Sequence, residues 1–262
     1  MKDLVFIRLQ LLISFILVGL CSYGQSTEGS LITLNTNKGV VYNTEYGLEL
    51  RVHTNGFGLG VFYGKIKTFY KTSLTYFVLS NAKDGKEIKQ DRKSVNFPTT
   101  PFAYGKINSL YNLEAGKSLK YYWSDKDANK GVMVGYMLGA GVTLGIMQPY
   151  YLKVKYTNPD DNHAYIKEVK YDEKNPSEFL TEDNIIGRAG LFKGFFQSRL
   201  IPGLHGQAAI HCDFGRSDRI LTALQVGTKI NLYTQPVQFM ANGSSKPYLL
   251  QFYLSLQFGK RK

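Results

Sequence analysis

From Val40 to His53 the chain alternates with a two-residue rhythm. Val40, Tyr42, Thr44, Tyr46, Leu48, Leu50 and Val52 would share one face of an extended segment, and Val41, Asn43, Glu45, Gly47, Glu49, Arg51 and His53 the other. All three charges fall on the second face. A helix would scatter them around its circumference, whereas a strand sends successive side chains to opposite sides. The alternation holds for some fourteen residues. That is longer than a common globular strand of about 5–6 residues, and enough for a tilted strand, which crosses a bilayer in about 9–11. The pattern returns at Tyr248–Phe258. There Tyr248, Leu250, Phe252, Leu254, Leu256 and Phe258 oppose Gln251, Ser255 and Gln257, with Leu249 and Tyr253 as exceptions.

The start of the chain narrows the compartment. Lys2 and Arg8 precede an apolar run from Leu11 to Leu20, and Ser22, Tyr23 and Gly24 supply a cleavage region. Residues 1–24 therefore read as a signal peptide. Residues 25–38, rich in Ser, Thr and Asn, read as a periplasmic lead-in, and 39–262 as an outer-membrane β-barrel. Composition agrees: 26 Gly, 19 Tyr and 16 Phe against 8 Pro suit short turns and aromatic-rich strands. The net charge of +12 falls to +11 without the leader's two cations and one carboxylate. For an exported chain the natural counterions are membrane lipid and lipopolysaccharide rather than nucleic acid. Cys212 remains the single thiol once Cys21 leaves with the leader, so no internal disulfide forms, and it reads as a small buried hydrophobe.

Strands are expected near 40–53, 57–64, 72–80, 103–114, 119–123, 131–145, 150–156, 186–198, 204–214, 219–231, 235–240 and 248–258. The turns between them are read at Asn55-Gly56, Ala115-Gly116, Gln148-Pro149 and Pro202-Gly203, among others. This predicts an all-β antiparallel transmembrane barrel of about 12 strands, with 10 as the alternative, short periplasmic turns and longer extracellular loops. The segments 81–100, 124–130 and 157–185 read as outer loops, with a helical turn at 177–184. Tyr121, Trp123, Tyr150, Tyr151, Phe195 and Phe196 read as an aromatic girdle. Gly131, Gly135, Gly139, Gly141 and Gly145 would line an inner face, leaving room for bulky neighbours.

The lumen-facing polar candidates are Glu45, Glu49, Arg51, Lys106, Glu114, Lys153, His205, His211, Asp213 and Lys229, with Lys120, Lys155 and Arg219 in the same set. Mixed charge of this kind forms an ion-paired interior or, less often, lines a selective pore. None of the four histidines begins the His-x-Ser pair of a barrel lipid hydrolase. His211 and Asp213 share a face, as a rim protease would require, but read first as a hydrogen-bonded lumen pair. His205 and His211 lie about 20 Å apart along a strand and cannot share a metal ion. No cofactor, no metal and no catalytic residue is expected.

The alternating strands and the phrase Gly139-Ala-Gly-Val-Thr-Leu-Gly-Ile-Met-Gln-Pro-Tyr-Tyr-Leu152 resemble small outer-membrane β-barrel proteins of the Bacteroidota. One departure is that Phe258 is followed by Gly-Lys-Arg-Lys, where such barrels end on an aromatic residue. The resemblance implies a location in the cell outer membrane. The group includes accessory barrels beside large secretion or assembly machines. Together with the missing catalytic motifs and the small expected bore, this leads to the expectation of a non-enzymatic structural or accessory subunit of such a complex, with other outer-membrane proteins as partners. The alternatives are a narrow porin-like channel for small solutes and a lipid-modifying enzyme.

Overall fold

The computed structural model describes residues 42–91, 99–123, 132–157, 164–172, 179, 181, 184–190, 193–215, 219–243 and 245–262. The leader, the lead-in, the loop at 124–130 and most of the helical turn read at 177–184 lie outside them. Eight long strands close on themselves: β1 (Thr44–His53), β2 (Gly56–Thr68), β3 (Lys71–Ala82), β6 (Asn108–Tyr122), β7 (Met133–Pro149), β11 (Arg199–Asp213), β12 (Ile220–Val237) and β13 (Lys246–Arg261). Each pairs antiparallel with its predecessor, and β1 pairs with β13 from Glu45↔Arg261 to His53↔Tyr253. The result is an up-and-down barrel with no free edge.

The remaining strands sit at one end. β4 (Lys89–Gln90) and β5 (Phe102–Ala103) form a two-stranded ribbon in the β3–β6 connection. β8 (Tyr151–Thr157), β9 (Ala164–Lys170) and β10 (Ile185–Arg188) form a small sheet, order β10-β8-β9, in the β7–β11 connection. Both lie at the end of the barrel that carries the β1–β2 turn; Thr44 and Lys262 lie at the other end, joined through their backbones at 2.8 Å. We call these the cap end and the termini end. The cap has its own core of Phe102, Tyr150, Leu152, Val154, Phe179 and Ile185.

The expectation of 12 strands, or 10, is corrected to eight. Ala115-Gly116 is the middle of β6, not a turn, and Pro202-Gly203 lies inside β11. Glycine stands at both places because the neighbouring backbone or ring is too close for a side chain. A Cβ on Gly116 would lie 2.6 Å from the Tyr76 hydroxyl, and one on Gly203 would lie 2.3 Å from the Leu232 carbonyl oxygen. Residues 235–237 finish β12 rather than starting a new strand, and the segment from Ile186 onward splits between the end of β10, a 3-10 turn at Phe195–Gln197 and the start of β11. Residues 150–156 form β8, in the cap and not in the barrel wall. β6 ends and β7 begins at the termini end, opposite the cap.

The expected faces hold around the barrel. Val52 is 64 % exposed while Arg51 beside it is 1 % exposed, and Leu48, Leu50, Leu59, Leu138, Leu204 and Phe252 likewise point outward. Alternation with the oily face outside is the reverse of a soluble sandwich, whose sheets bury their apolar faces against each other. The two exceptions in the last strand have uses. Tyr253 turns inward beneath the Arg51 guanidinium, 4.3 Å from the ring centroid, and Leu249 packs on the cluster of Leu110, Ile201, Tyr233 and Val237 at the cap-end mouth. Tyr121 and Trp123 form an outward aromatic group with Tyr136 at the termini end, while Phe195 and Phe196 are exposed at the cap end. Tyr150 and Tyr151 of the expected girdle belong to the cap instead.

Candidate functional site, an ion-paired lumen

An eight-stranded barrel has an interior just wide enough for side chains to fill. Here the filling is partly apolar, through Phe62, Leu74, Val78, Met137 and Leu221, and otherwise polar. Near the termini end, Lys120 donates to Glu45 at 2.8 Å, and Arg261 reaches Glu45 at 3.4 Å and Asp213 at 2.6 Å. At mid-height, Arg51 donates twice to Glu49, at 2.9 and 2.7 Å, and to Gln207 at 3.1 Å. Across the lumen Lys229 meets Glu114 at 2.6 Å, with neither side chain exposed, and Asn231 and Ser80 also donate toward that carboxylate. Tyr233 donates to Asn112 at 2.9 Å.

The charges balance. Among the described residues, the lumen ionic groups are Glu45, Glu49, Glu114 and Asp213 against Arg51, Lys120, Lys229 and Arg261. Four anions meet four cations, so the chain's strong positive balance lies outside the barrel interior. Removing an ion from water costs several kcal/mol, and a close, hydrogen-bonded partner is what repays it. The strands supply this pairing because the two-residue period turns all eight of these positions to the same, inner side of the wall.

The histidines are held singly. His205 lies with Nε2 2.7 Å from the Tyr76 hydroxyl and Nδ1 2.8 Å from that of Thr143. His211 contacts Tyr122 at 3.3 Å and Gln225 at 3.1 Å. Asp213 instead accepts from Arg261 and from the Gly215 N–H, so the expected His211–Asp213 pair is corrected to two separate sites. The third described histidine, His53, meets Gln251 at the cap-end mouth, 3.0 Å away. Among the described residues no group of three or more His, Cys, Asp or Glu is placed to hold a metal ion.

Of the sequence candidates, Glu45, Glu49, Arg51, Glu114, His205, His211, Asp213 and Lys229 are brought together in the lumen. Two are not. Lys153 and its neighbour Lys155 lie on β8 in the cap, because the apolar alternation of that strand serves the cap core. Lys106 precedes β6 at the mouth. There it donates to Glu87 at 2.8 Å and lies over the Tyr150 ring. Burial draws the Lys106 ammonium below its usual value, and the Glu87 hydrogen bond opposes that shift. Arg219 is exposed at the start of β12. Arg261 was the one missed ion. It continues the inward run Gln257, Gly259, Arg261, a signal hidden by reading the terminal Gly-Lys-Arg-Lys as a tail.

The lumen gives way at the cap end to a hollow of about 250 Å³ beneath Lys83, Lys86 and Lys246, floored by Leu110, Tyr233, Val237 and Phe239. Below that floor lie the Glu114 and Arg51 networks.

These features define the class of protein: an all-β, closed, antiparallel eight-stranded barrel with an apolar exterior and an ion-paired interior. The particular resemblances are distant. Ail, the attachment invasion locus protein of Yersinia pestis, aligns over 84% of this chain and 96% of its own at 9% identity, TM-score 0.37. Neisserial surface protein A aligns over 84% and 96% at 11% identity, TM-score 0.35. The N-terminal β-barrel domain of Pseudomonas aeruginosa OprF aligns over 83% and 98% at 8% identity, TM-score 0.33. No protein-family profile matches the chain, and no curated protein matches it in sequence.

Proposed function

We propose that the chain is an integral outer-membrane β-barrel protein, non-enzymatic, that serves as a structural or accessory subunit of an outer-membrane assembly. One observation carries the membrane reading: the inverted polarity of the wall, with Leu48, Leu50 and Val52 outside and Glu45, Glu49 and Arg51 inside the same strand. A sheet exposing that much contiguous apolar surface has lipid as its fitting solvent. On this reading the termini end faces the periplasm and the cap faces the exterior, where long connections are normal. The kinship with Bacteroidota barrels read from the sequence, with the assembly role that it implies, is part of the same proposal.

The accessory role is supported by what the lumen lacks room for. Its charges are neutralised in pairs, and Phe62, Tyr76, Tyr233 and Gln207 occupy the space that the wall glycines Gly47, Gly116, Gly145 and Gly139 vacate. That arrangement speaks against the channel reading and leaves the outward surfaces and the cap as the places where partners would act. The test is mild detergent extraction from native membranes followed by identification of bound proteins. A stoichiometric outer-membrane partner is the expected result. Purification of the barrel alone, with single-channel steps in a planar bilayer, would overturn the accessory reading in favour of the channel.

A further inference from the structure

Every carboxylate on the eight barrel strands, Glu45, Glu49, Glu114 and Asp213, points into the lumen, so the outer wall of those strands carries cations only. Three of these gather in one place. Lys65 on β2 is the register partner of Ser73 on β3, Ser73 is the partner of Leu119 on β6, and Thr75 is the partner of Lys117. Lys71, two residues from Ser73 on the same face, lies 5.1 Å from the centroid of the Tyr121 ring. Lys65 and Lys117 are exposed, and Ser73 and Lys71 half-buried.

Lys117 has an unusual depth. It precedes Tyr121, on the same outward face, by four residues, which is about 13 Å of strand and about 10 Å of height at the usual tilt. The Tyr121–Tyr136–Trp123 group marks the interface at this end, so Lys117 stands inside the apolar band. A bare ammonium there is unfavourable, and an anion drawn alongside relieves it.

A groove of about 840 Å³ leads away from Ser73 and Lys117 across the outer wall, past Leu138, Ala140, Gly206 and Ala208 to Ile230. Its surface is mostly apolar; beyond the Ser73 and Lys117 end, Thr228 beside Ile230 is its exposed polar residue. Gly206 is not required by packing, since a Cβ there would meet only the Ile230 Cγ2 atom, at 4.0 Å. The missing side chain leaves the groove open at mid-height. Cations at one end and a small-residue apolar channel behind them complement a headgroup and a chain.

We propose that this corner of the wall binds an anionic glycerophospholipid of the leaflet at the termini end. The phosphate sits among Lys65, Lys71 and Lys117 with the Ser73 hydroxyl donating to it, and one acyl chain lies in the groove. The site rests on the membrane reading above. To test it, the full chain is folded into phosphatidylcholine vesicles with and without phosphatidylglycerol, and retained lipids are counted by native mass spectrometry after detergent extraction. The wild-type protein should retain phosphatidylglycerol over phosphatidylcholine by about tenfold relative to the vesicle ratio, as a few lysines near a phosphate allow. Lys117→Gln should remove most of that preference. Gly206→Leu should lower retention of both lipids while the folded barrel keeps its heat-dependent gel shift. Lys155→Gln, in the cap, should change nothing. Retention at the vesicle ratio by wild type, or an unchanged preference in Lys117→Gln, would overturn the site while leaving the membrane reading in place. Retention of lipopolysaccharide in preference to phosphatidylglycerol, when both are offered, would overturn the assignment of the ligand. Failure to insert into either vesicle would overturn both readings.

Discussion

Barrel and cap belong to one chain and obey opposite burial rules. On β1 the alternation puts Leu50 outside and Arg51 inside; on β8 it puts Leu152 and Val154 inside and Lys155 outside. Both strands alternate with the same period, and nothing in the local pattern separates them. On the proposed membrane reading, what differs is the surrounding medium. A strand between a narrow ion-paired lumen and an oily exterior keeps its charges in, while a strand at the barrel mouth, in water, follows the ordinary rule of burying its apolar side. An alternating segment therefore fixes two faces and leaves open which of them meets the solvent.

The largest expected effect breaks the comparison on the barrel side. Glu114→Ala leaves Lys229 buried beside Asn231 with no counter-charge, and should cost about 3–5 kcal/mol, read by urea titration of the protein folded in vesicles. Replacing both, as Glu114→Met with Lys229→Met, should recover most of that loss, because an apolar pair of similar size removes the buried charges altogether. A double variant as unstable as the single one would show that the pair does more than balance its own charge.

On the cap side, Leu152→Ala should destabilise the small sheet by about 2–5 kcal/mol, as for other buried leucines. The loss should be local: faster proteolysis in the cap, with the barrel's gel shift unchanged. Next comes the outer wall, where Leu50→Arg should cost about 2–4 kcal/mol in a bilayer, the range for an arginine at the midplane of a barrel. The equivalent exposed change in the cap, Tyr165→Arg, should be nearly neutral.

The smallest effect concerns an exposed pair in the cap. Lys193 donates to Glu168 at 2.7 Å, and that hydrogen bond together with the Glu168 charge raises the Lys193 ammonium above its ordinary value. A raised folded value means that the contribution is complete below the unfolded value of about 10.4 and is lost as pH rises through the folded one. Cap proteolysis should accelerate slightly in that alkaline window, and Lys193→Met should abolish the pH dependence. Solvent screening keeps the effect small.

Much of the fold was legible because a two-residue period is hard to mistake over long stretches. The faces of β1, β6, β11 and β12 follow from it directly, and with them eight of the ten lumen candidates. Strand number was not legible. Glycine and proline inside long strands look like turn residues, and at Gly116 and Gly203 the cause is a neighbour's close approach, visible only once the strands are paired. Pairing inside the lumen was illegible for a different reason. Glu114 and Lys229 meet across the barrel from positions 115 residues apart, so each could be assigned a face but not a partner.

On the membrane reading, lipid lies against the wall that Leu50 faces and water against the cap. Tryptophan fluorescence reads this directly. In a Trp123→Phe background, a single probe is introduced as Leu50→Trp or Tyr165→Trp, and the protein is folded into vesicles of lipid brominated in mid-chain. The Leu50→Trp probe should be strongly quenched by brominated lipid and shielded from aqueous iodide, and the Tyr165→Trp probe the reverse. Iodide quenching of the Leu50→Trp probe, with no response to brominated lipid, would contradict that reading.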